Sequence, residues 1–484
     1  MTFSPGLERA FTTAPGELAG VPLEVEGALP GYVLPGYLHG TWIANGPASF
    51  GRGDLSYRHW LDGDGRVVAV HFPGDGGTPY ATARYVGTAK RLEEEREGRA
   101  IYRTFGTAFP GDALVRGVAL ASPANVSIVP WQGRLVASGE QGLPYDLDPE
   151  TLETRGEYTF GSKLNPLSPL AAHPKLDPHT GELIHFGVSF AGAQPSVTLY
   201  RFAPDGALAL RRRIPLDRPA VIHDFAVSER FCIFHLSPYV IEVGPLLAEG
   251  KSLFDCLVCR EELGSQLLVV ERETGEEVAM IPLDGGYCLH LANAWDETTP
   301  KGDWLTLDLF ELDRPAYEQY QPLPALFDTV APGRLVRLEI DLTAGAVLNR
   351  QVSSYEESPD FPAIDPRYFA RPTEDVWALG ISACGKTGSK FFDRIVHLDW
   401  SRSEGPHDLW IAPPGVFPAG EPVIVPDPER EKEGVLLCPL YDAERGTTEL
   451  AVFDAWNVAA GPCARLRFPA AQHLCFHATF VPAG

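Results

Sequence analysis

The sequence predicts an all-β protein, and three observations carry that expectation. Strand-like runs of about four to eight residues recur along most of the 484-residue chain. Gly, Pro, Asp and Asn divide them, and helical periodicity is scarce. The runs include RVVAVHF from Arg66, RLVASGE from Arg134, SVTLYRF from Ser196, SQLLVVERE from Ser265, GRLVRLEIDL from Gly333, GVLLCPLYD from Gly434 and TELAVFDA from Thr448. Several end in an acidic turn followed by Thr-Gly or Ala-Gly, as in ERETGEE and IDLTAGA, which suits tight hairpins. The best helical stretch is RYVGTAKRLEEEREGRA from Arg84, whose charged tail is expected at the surface. Strands without intervening helices favour a β-propeller over a parallel sheet. No WD or kelch repeat marks the blades, so a large barrel or sandwich stays open on pattern alone. Two Pro-rich insertions, SPYVIEVGPLLAEGKSLFDC from Ser237 and FELDRPAYEQYQPLPALFDTVAPG from Phe310, are expected as loops over one face, where substrate entrances usually lie.

Hydrophobic content of 44% and charged content of 21% describe an ordinary globular body with enough apolar surface for a large core. The formal charge of −24 excludes a phosphate backbone as partner, because such binding needs Lys and Arg to displace counterions. It also disfavours electrostatic adhesion to an anionic bilayer and leaves only hydrophobic contact with a membrane. The sequence has no apolar run of spanning length, and MTFSPGLERAFTTAPGE lacks the layout of a secretory signal, so the expected address is cytoplasmic. Of the eight cysteines only Cys256 and Cys259 form a CxxC, with no second pair to complete a zinc site; they read as two ordinary thiols.

Thirteen histidines are present, and most read as satisfied core or surface residues. Four stand apart by their company. They are His173 in LAAHPKLDPHTGEL, His223 in VIHDFAVSERFCIF, His290 in GYCLHLANAWDE and His477 in QHLCFHATF, each beside a short apolar run. Ligands drawn from so much of the chain could meet only in a closed fold with a shared axis.

With these runs in place the chain resembles the carotenoid cleavage oxygenase family over nearly its whole length. GTWIANGP from Gly40 and HWLDGDGRV from His59 are similar to the family's N-terminal signatures, and GEQGLPYDLDPETLET from Gly139, DFPAIDPRY from Asp360 and GEPVIVP from Gly420 follow in the family's order. The resemblance implies one domain, 1–484, folded as a seven-bladed β-propeller with a helical and loop cap. It implies Fe(II) held by His173, His223, His290 and His477, with no carboxylate ligand and two positions free for dioxygen chemistry. Three acids would orient the rings: Glu140 for His223, Asp360 for His290 and Glu421 for His477. Asp360 is a departure, one methylene shorter than the family's usual Glu, so its bond is expected to need a small backbone shift or a bridging water. Val126 departs too, replacing a threonine near an open iron position. Ala44 stands for an Arg, with a consequence expected for packing or a salt bridge, and Ala478 stands for a Gly.

The implied reaction is oxidative cleavage of a carbon–carbon double bond by dioxygen, giving two carbonyl products, with no catalytic side chain beyond the metal centre. Specificity would come from an apolar tunnel that places one double bond over the iron. YRTFGTAFPGD from Tyr102 resembles the retinal-releasing bacterial branch, which favours a carotenoid or apocarotenoid polyene. Stilbene-cleaving relatives carry Lys where this chain has Gly139, so a stilbene is the second choice. A catalytically inactive ligand-binding propeller is the reading from another class, and a zinc hydrolase is disfavoured by the number of histidines. The segments 237–259 and 310–327 read either as an apolar membrane-contacting rim or as cap loops packed on the propeller; nothing in the sequence sets the oligomeric state.

Overall fold

The acidic turns do what their composition suggests. In ERETGEE, Gly275 adopts φ 66° and its N–H donates to the Glu271 carbonyl at 2.8 Å, folding Glu277–Leu283 back onto Ser265–Glu271. Gly345, at φ 65°, turns the chain between Gly333–Asp341 and Ala346–Val352 in the same way. A computed structural model describes residues 3–483 apart from 13, 28–30, 75, 118, 166–167, 191–193, 301 and 403–406. In it such antiparallel units repeat into seven sheets, the blades of a seven-bladed β-propeller.

We number the blades in chain order. Blade 1 contains Gly40–Ala48 and Asp64–Phe72 and takes the C-terminal strand Ala478–Pro482 on its inner edge. Blade 7 contains Gly434–Asp442 and Thr447–Asp454 and takes the N-terminal strand Glu24–Gly27 against Pro462–Arg467. The ring is therefore closed by both ends of the chain. The innermost strands of blades 2 to 7 are Ser127–Trp131, Lys175–Leu176, Phe225–Val227, Tyr287–Thr299, Asp360–Ala363 and Val423–Pro426. Neighbouring inner strands touch around the axis at several points, including those of blades 4 and 5 and of blades 5 and 6.

The core lies between blades, which is why these strands are apolar on both faces rather than alternating. Phe186 of blade 3 packs on Phe225 and Phe234 of blade 4, with ring centroids 4.9 and 5.4 Å apart. Each such ring contributes roughly 1.5–3 kcal/mol by leaving water. Outer strands revert to partial exposure, as in Leu208–Pro215.

The helix expected after Arg84 runs from Ala89 to Glu97, capped by the Thr88 side chain and ended by Gly98 at φ 67°. Arg84 and Tyr85 belong instead to the strand Tyr80–Tyr85. Its charged face is also not all at the surface: Lys90 and Glu94 are buried, with Lys90 Nζ 2.8 Å from Glu94 and 3.2 Å from Asp64. The helix lies against blade 1, and mutual pairing makes that burial tolerable.

Both Pro-rich insertions form cap structure. The first folds as the helix Val243–Ala248 between the paired strands Tyr239–Ile241 and Leu257–Cys259. The second carries a short helical turn at Ala316–Glu318. Tyr317 and Tyr320 of this insertion share one apolar cluster with Phe3, Leu7 and Phe11 around the N-terminal helix Pro5–Ala10. Ala44 is fully buried among Trp42, Val68 and Val70 of blade 1, a packing role with no charge. All eight cysteines are free, Cys256 and Cys259 among them.

Candidate metal centre

Each of the four singled-out histidines sits at an inner strand, so the axis gathers them. His173, His223 and His477 lie one or two residues before the inner strands of blades 3, 4 and 1, and His290 lies within that of blade 5. One ligating atom of each falls within 4.8 Å of the others. His173 Nε2 is 2.9 Å from His223 Nε2, which is 3.2 Å from His290 Nε2. Two imidazole nitrogens bonded at right angles to one cation at about 2.1 Å would lie about 3.0 Å apart, so the spacing fits a shared metal ion.

The blades without a histidine supply the acids. Glu140 comes from blade 2, Asp360 opens the inner strand of blade 6, and Glu421 precedes that of blade 7. Glu140 Oε1 is 2.8 Å from His223 Nδ1, off the line of the ring N–H. Asp360 Oδ1 is 2.5 Å from His290 Nδ1, and Glu421 Oε1 is 3.2 Å from His477 Nδ1. At His290 and His477 the carboxylate bonded to Nδ1 holds the proton there and leaves the Nε2 lone pair free for a metal, while Glu140 stands beside His223 without an aligned bond.

Burial favours the neutral ring at His173 and at His477. Burial pushes His173 well below the ordinary imidazole range, and the three other rings push it the same way. Burial also lowers His477, against the pull of Glu421. His290 is raised, because Asp360 beside it outweighs burial. Burial would raise Asp360 in turn, but His290 holds it below the usual carboxylate range.

The shorter Asp360 needs no water to reach its histidine. Phe361 takes a left-handed φ of 55°, and the strand pairing shifts register between Asp360 and Ala363. That local backbone adjustment carries the carboxylate to the ring, and Oδ1 accepts the Phe361 N–H at 2.9 Å as well.

On one side of the rings lies a small apolar cavity of about 30 Å³, lined by His223, His290 and His477 with Val126, Leu61, Phe361 and Phe476. Val126 is buried, and its carbonyl accepts the His477 N–H at 3.3 Å. Leu289, Glu140, Tyr317 and Tyr320 line it too; sequence reading placed the two tyrosines only in a cap insertion. Tyr317 and Glu140 also border a second apolar pocket with Phe105, Ile222 and Leu253. A larger cleft of about 670 Å³ runs between the inner strands of blades 6, 7 and 1 and reaches Glu421, but none of the four histidines lines it. Of these spaces, the small cavity is the one that the histidine rings line.

Two further residues escaped sequence reading. Asp224, buried next to His223, has Oδ1 2.7 Å from Lys175 Nζ and 3.7 Å from His173 Nδ1. The signals were the His-Pro-Lys and His-Asp-Phe runs themselves, but nothing local says that they face each other.

The family model described as retinal pigment epithelial membrane protein matches residues 12–482. An apocarotenoid-15,15'-oxygenase of Synechocystis sp. is 31% identical, over 95% of this chain and 92% of that protein. An isoeugenol monooxygenase of Pseudomonas nitroreducens is 28% identical, over 95% of this chain and 94% of its own. The solved structure of the cobalt-substituted Synechocystis apocarotenoid oxygenase superposes with a TM-score of 0.87 at 28% identity, covering all of both chains.

Proposed function

Because the chain belongs to the retinal pigment epithelial membrane protein family, that of the carotenoid cleavage oxygenases, we propose that residues 1–484 form one domain acting as a non-haem Fe(II) dioxygenase. It is an enzyme that cleaves a carbon–carbon double bond of a carotenoid or apocarotenoid: alkene and dioxygen give two carbonyl products, with both oxygen atoms retained. The observation that carries the reading is four inward-facing imidazoles, three of them backed by carboxylates, on the wall of an apolar cavity.

His173, His223, His290 and His477 would hold the metal, which supplies dioxygen activation when bound. The rest is the work of the chain. Glu140, Asp360 and Glu421 keep the Nδ1 protons in place and supply negative charge against the ion. Val126, Leu61, Phe361 and Phe476 exclude water and present only apolar surface, so a polyene is held by shape rather than by polar contacts. Gly139 offers no cationic group for a phenolate: a Cβ there would lie 2.9 Å from Ser122 Oγ and 3.2 Å from the Ala124 nitrogen. That supports a polyene over a hydroxystilbene.

A shorter aryl alkene is the second reading, favoured by the modest size of the metal-side cavity and by Tyr317 standing between it and the neighbouring pocket. No helix among the described residues is long and apolar enough to cross a membrane. The protein is read as cytoplasmic, and Leu247, 51% exposed on the cap helix, is the candidate for hydrophobic contact with a lipid surface that holds the polyene.

The test is anaerobic loading with Fe(II), then an apocarotenal under labelled dioxygen, with mass analysis of the products. Label in both aldehydes is expected. Iron uptake with no polyene cleavage but cleavage of isoeugenol or a hydroxystilbene would replace the substrate, and no iron uptake would leave an inactive ligand-binding propeller.

A further inference from the structure

Three acids for four histidines leave His173 unserved, and the structure puts a fourth carboxylate beside it. Asp224 is buried at 3% exposure and touches three blades at once. It follows His223 in the chain, its Oδ2 accepts the N–H of Leu291, the residue after His290, at 3.0 Å, and its Oδ1 pairs at 2.7 Å with Nζ of Lys175, two residues after His173. Among the described residues, Oδ1 receives no aligned hydrogen bond, although His173 Nδ1 lies 3.7 Å away. Lys175 meets the charge of that oxygen, but a buried carboxylate oxygen has lone pairs for a further donor, and His173 Nδ1 is placed to supply one.

We propose that Asp224 is the positioning residue for His173, and that Lys175 sets how much negative charge it lends to the centre. This rests on the metal-centre reading above. A small turn of the imidazole brings Nδ1 onto Oδ1, giving His173 the same backing as the other three rings. Lys175 neutralises most of the carboxylate's charge, so the ion faces a net of three negative groups rather than four. The two residues then act with opposite sign. Removing the Asp224 charge frees the His173 ring and weakens metal binding, whereas removing the Lys175 charge releases the carboxylate to the histidine. A mere strut between blades would lose from either change.

The experiment uses the full chain, stripped of metal and titrated with Co(II), reading the visible absorption of the bound ion together with the unfolding midpoint of the metal-free protein. Asp224→Asn, which keeps the shape and the acceptor for Leu291, is expected to weaken Co(II) binding tenfold or more, as loss of a ligand's orienting partner does, and to alter the cobalt spectrum. Lys175→Met is expected to hold Co(II) at least as tightly as the unaltered chain, and it decides the matter should Asp224→Asn fail to fold. Unchanged affinity and spectrum in Asp224→Asn, or weakening in Lys175→Met, would overturn the proposal while leaving the metal centre standing. No Co(II) binding by the unaltered chain would overturn both.

Discussion

Asp360 reaches His290 directly, its Oδ1 2.5 Å from Nδ1, although it is a methylene shorter than the glutamate expected there. The left-handed Phe361 and the register shift beside it supply the reach. Asp360→Asn replaces the charged acceptor that keeps the His290 proton on Nδ1 with a neutral amide, and a ten- to hundredfold loss of metal affinity is expected. Calorimetric titration with Co(II) measures it, and unchanged affinity would mean that the contact is only structural.

Val126 closes the cavity wall beside His477 without a hydroxyl. Val126→Leu should fill space at the metal while leaving all seven histidines and acids in place, so turnover falls at least tenfold with metal content unchanged. Val126→Thr buries a hydroxyl at a site 1% exposed and should cost about 1–2 kcal/mol of stability with turnover kept within a few-fold. Metal analysis alongside steady-state rates and urea unfolding separates these outcomes.

Tyr317 borders both the metal-side cavity and the pocket of Phe105 and Leu253. Tyr317→Ala should merge the two spaces and lower KM for long apocarotenals relative to short ones, at a stability cost of about 3–5 kcal/mol for the lost ring. An unchanged chain-length preference would show that Tyr317 sets no limit on the substrate.

The ligand rings come from four different blades, so a bound ion ties the ring of blades together. At a metal concentration one hundred times its dissociation constant, binding to the folded state alone stabilises by about 2.7 kcal/mol. Chelation should therefore lower the thermal midpoint of the unaltered chain and do nothing to His290→Ala. Equal responses of the two to chelator would mean that the histidines do not hold the ion.

His235 lies buried in blade 4, where loss of solvent and the charge of Arg218 push it down to about 4. The unfolded chain takes up this proton first, near 6.5, so stability falls as pH drops below that value and levels off below about 4. At pH 5 the penalty is about 2 kcal/mol. His235→Gln should flatten the fall in urea midpoint between pH 7 and 5, and an unaltered slope would place the acid sensitivity elsewhere.

Much of the fold was legible because strand formation is local. SVTLYRF became Ser196–Phe202 and GVLLCPLYD became Gly434–Asp442, since β-branched and aromatic runs between turn residues specify extended chain wherever they end up. Lys90 and Glu94 were misjudged for the opposite reason: a charge run looks solvated until a partner such as Asp64, far back in the chain, is seen packed against it.

The sequence by itself determined which residues are candidates: four histidines set apart by their runs and, through likeness to the family, three acids in matching order and Val126, each legible because its neighbours in the chain form a motif. Only the tertiary structure decided distances between blades. Asp224 and Lys175 are separated along the chain yet paired at 2.7 Å, Tyr317 reaches the metal side from a cap insertion, and the bulge at Phe361 makes an aspartate long enough. Those relations depend on how seven sheets close around one axis, and closure is a property of packing between blades that no local run of residues encodes.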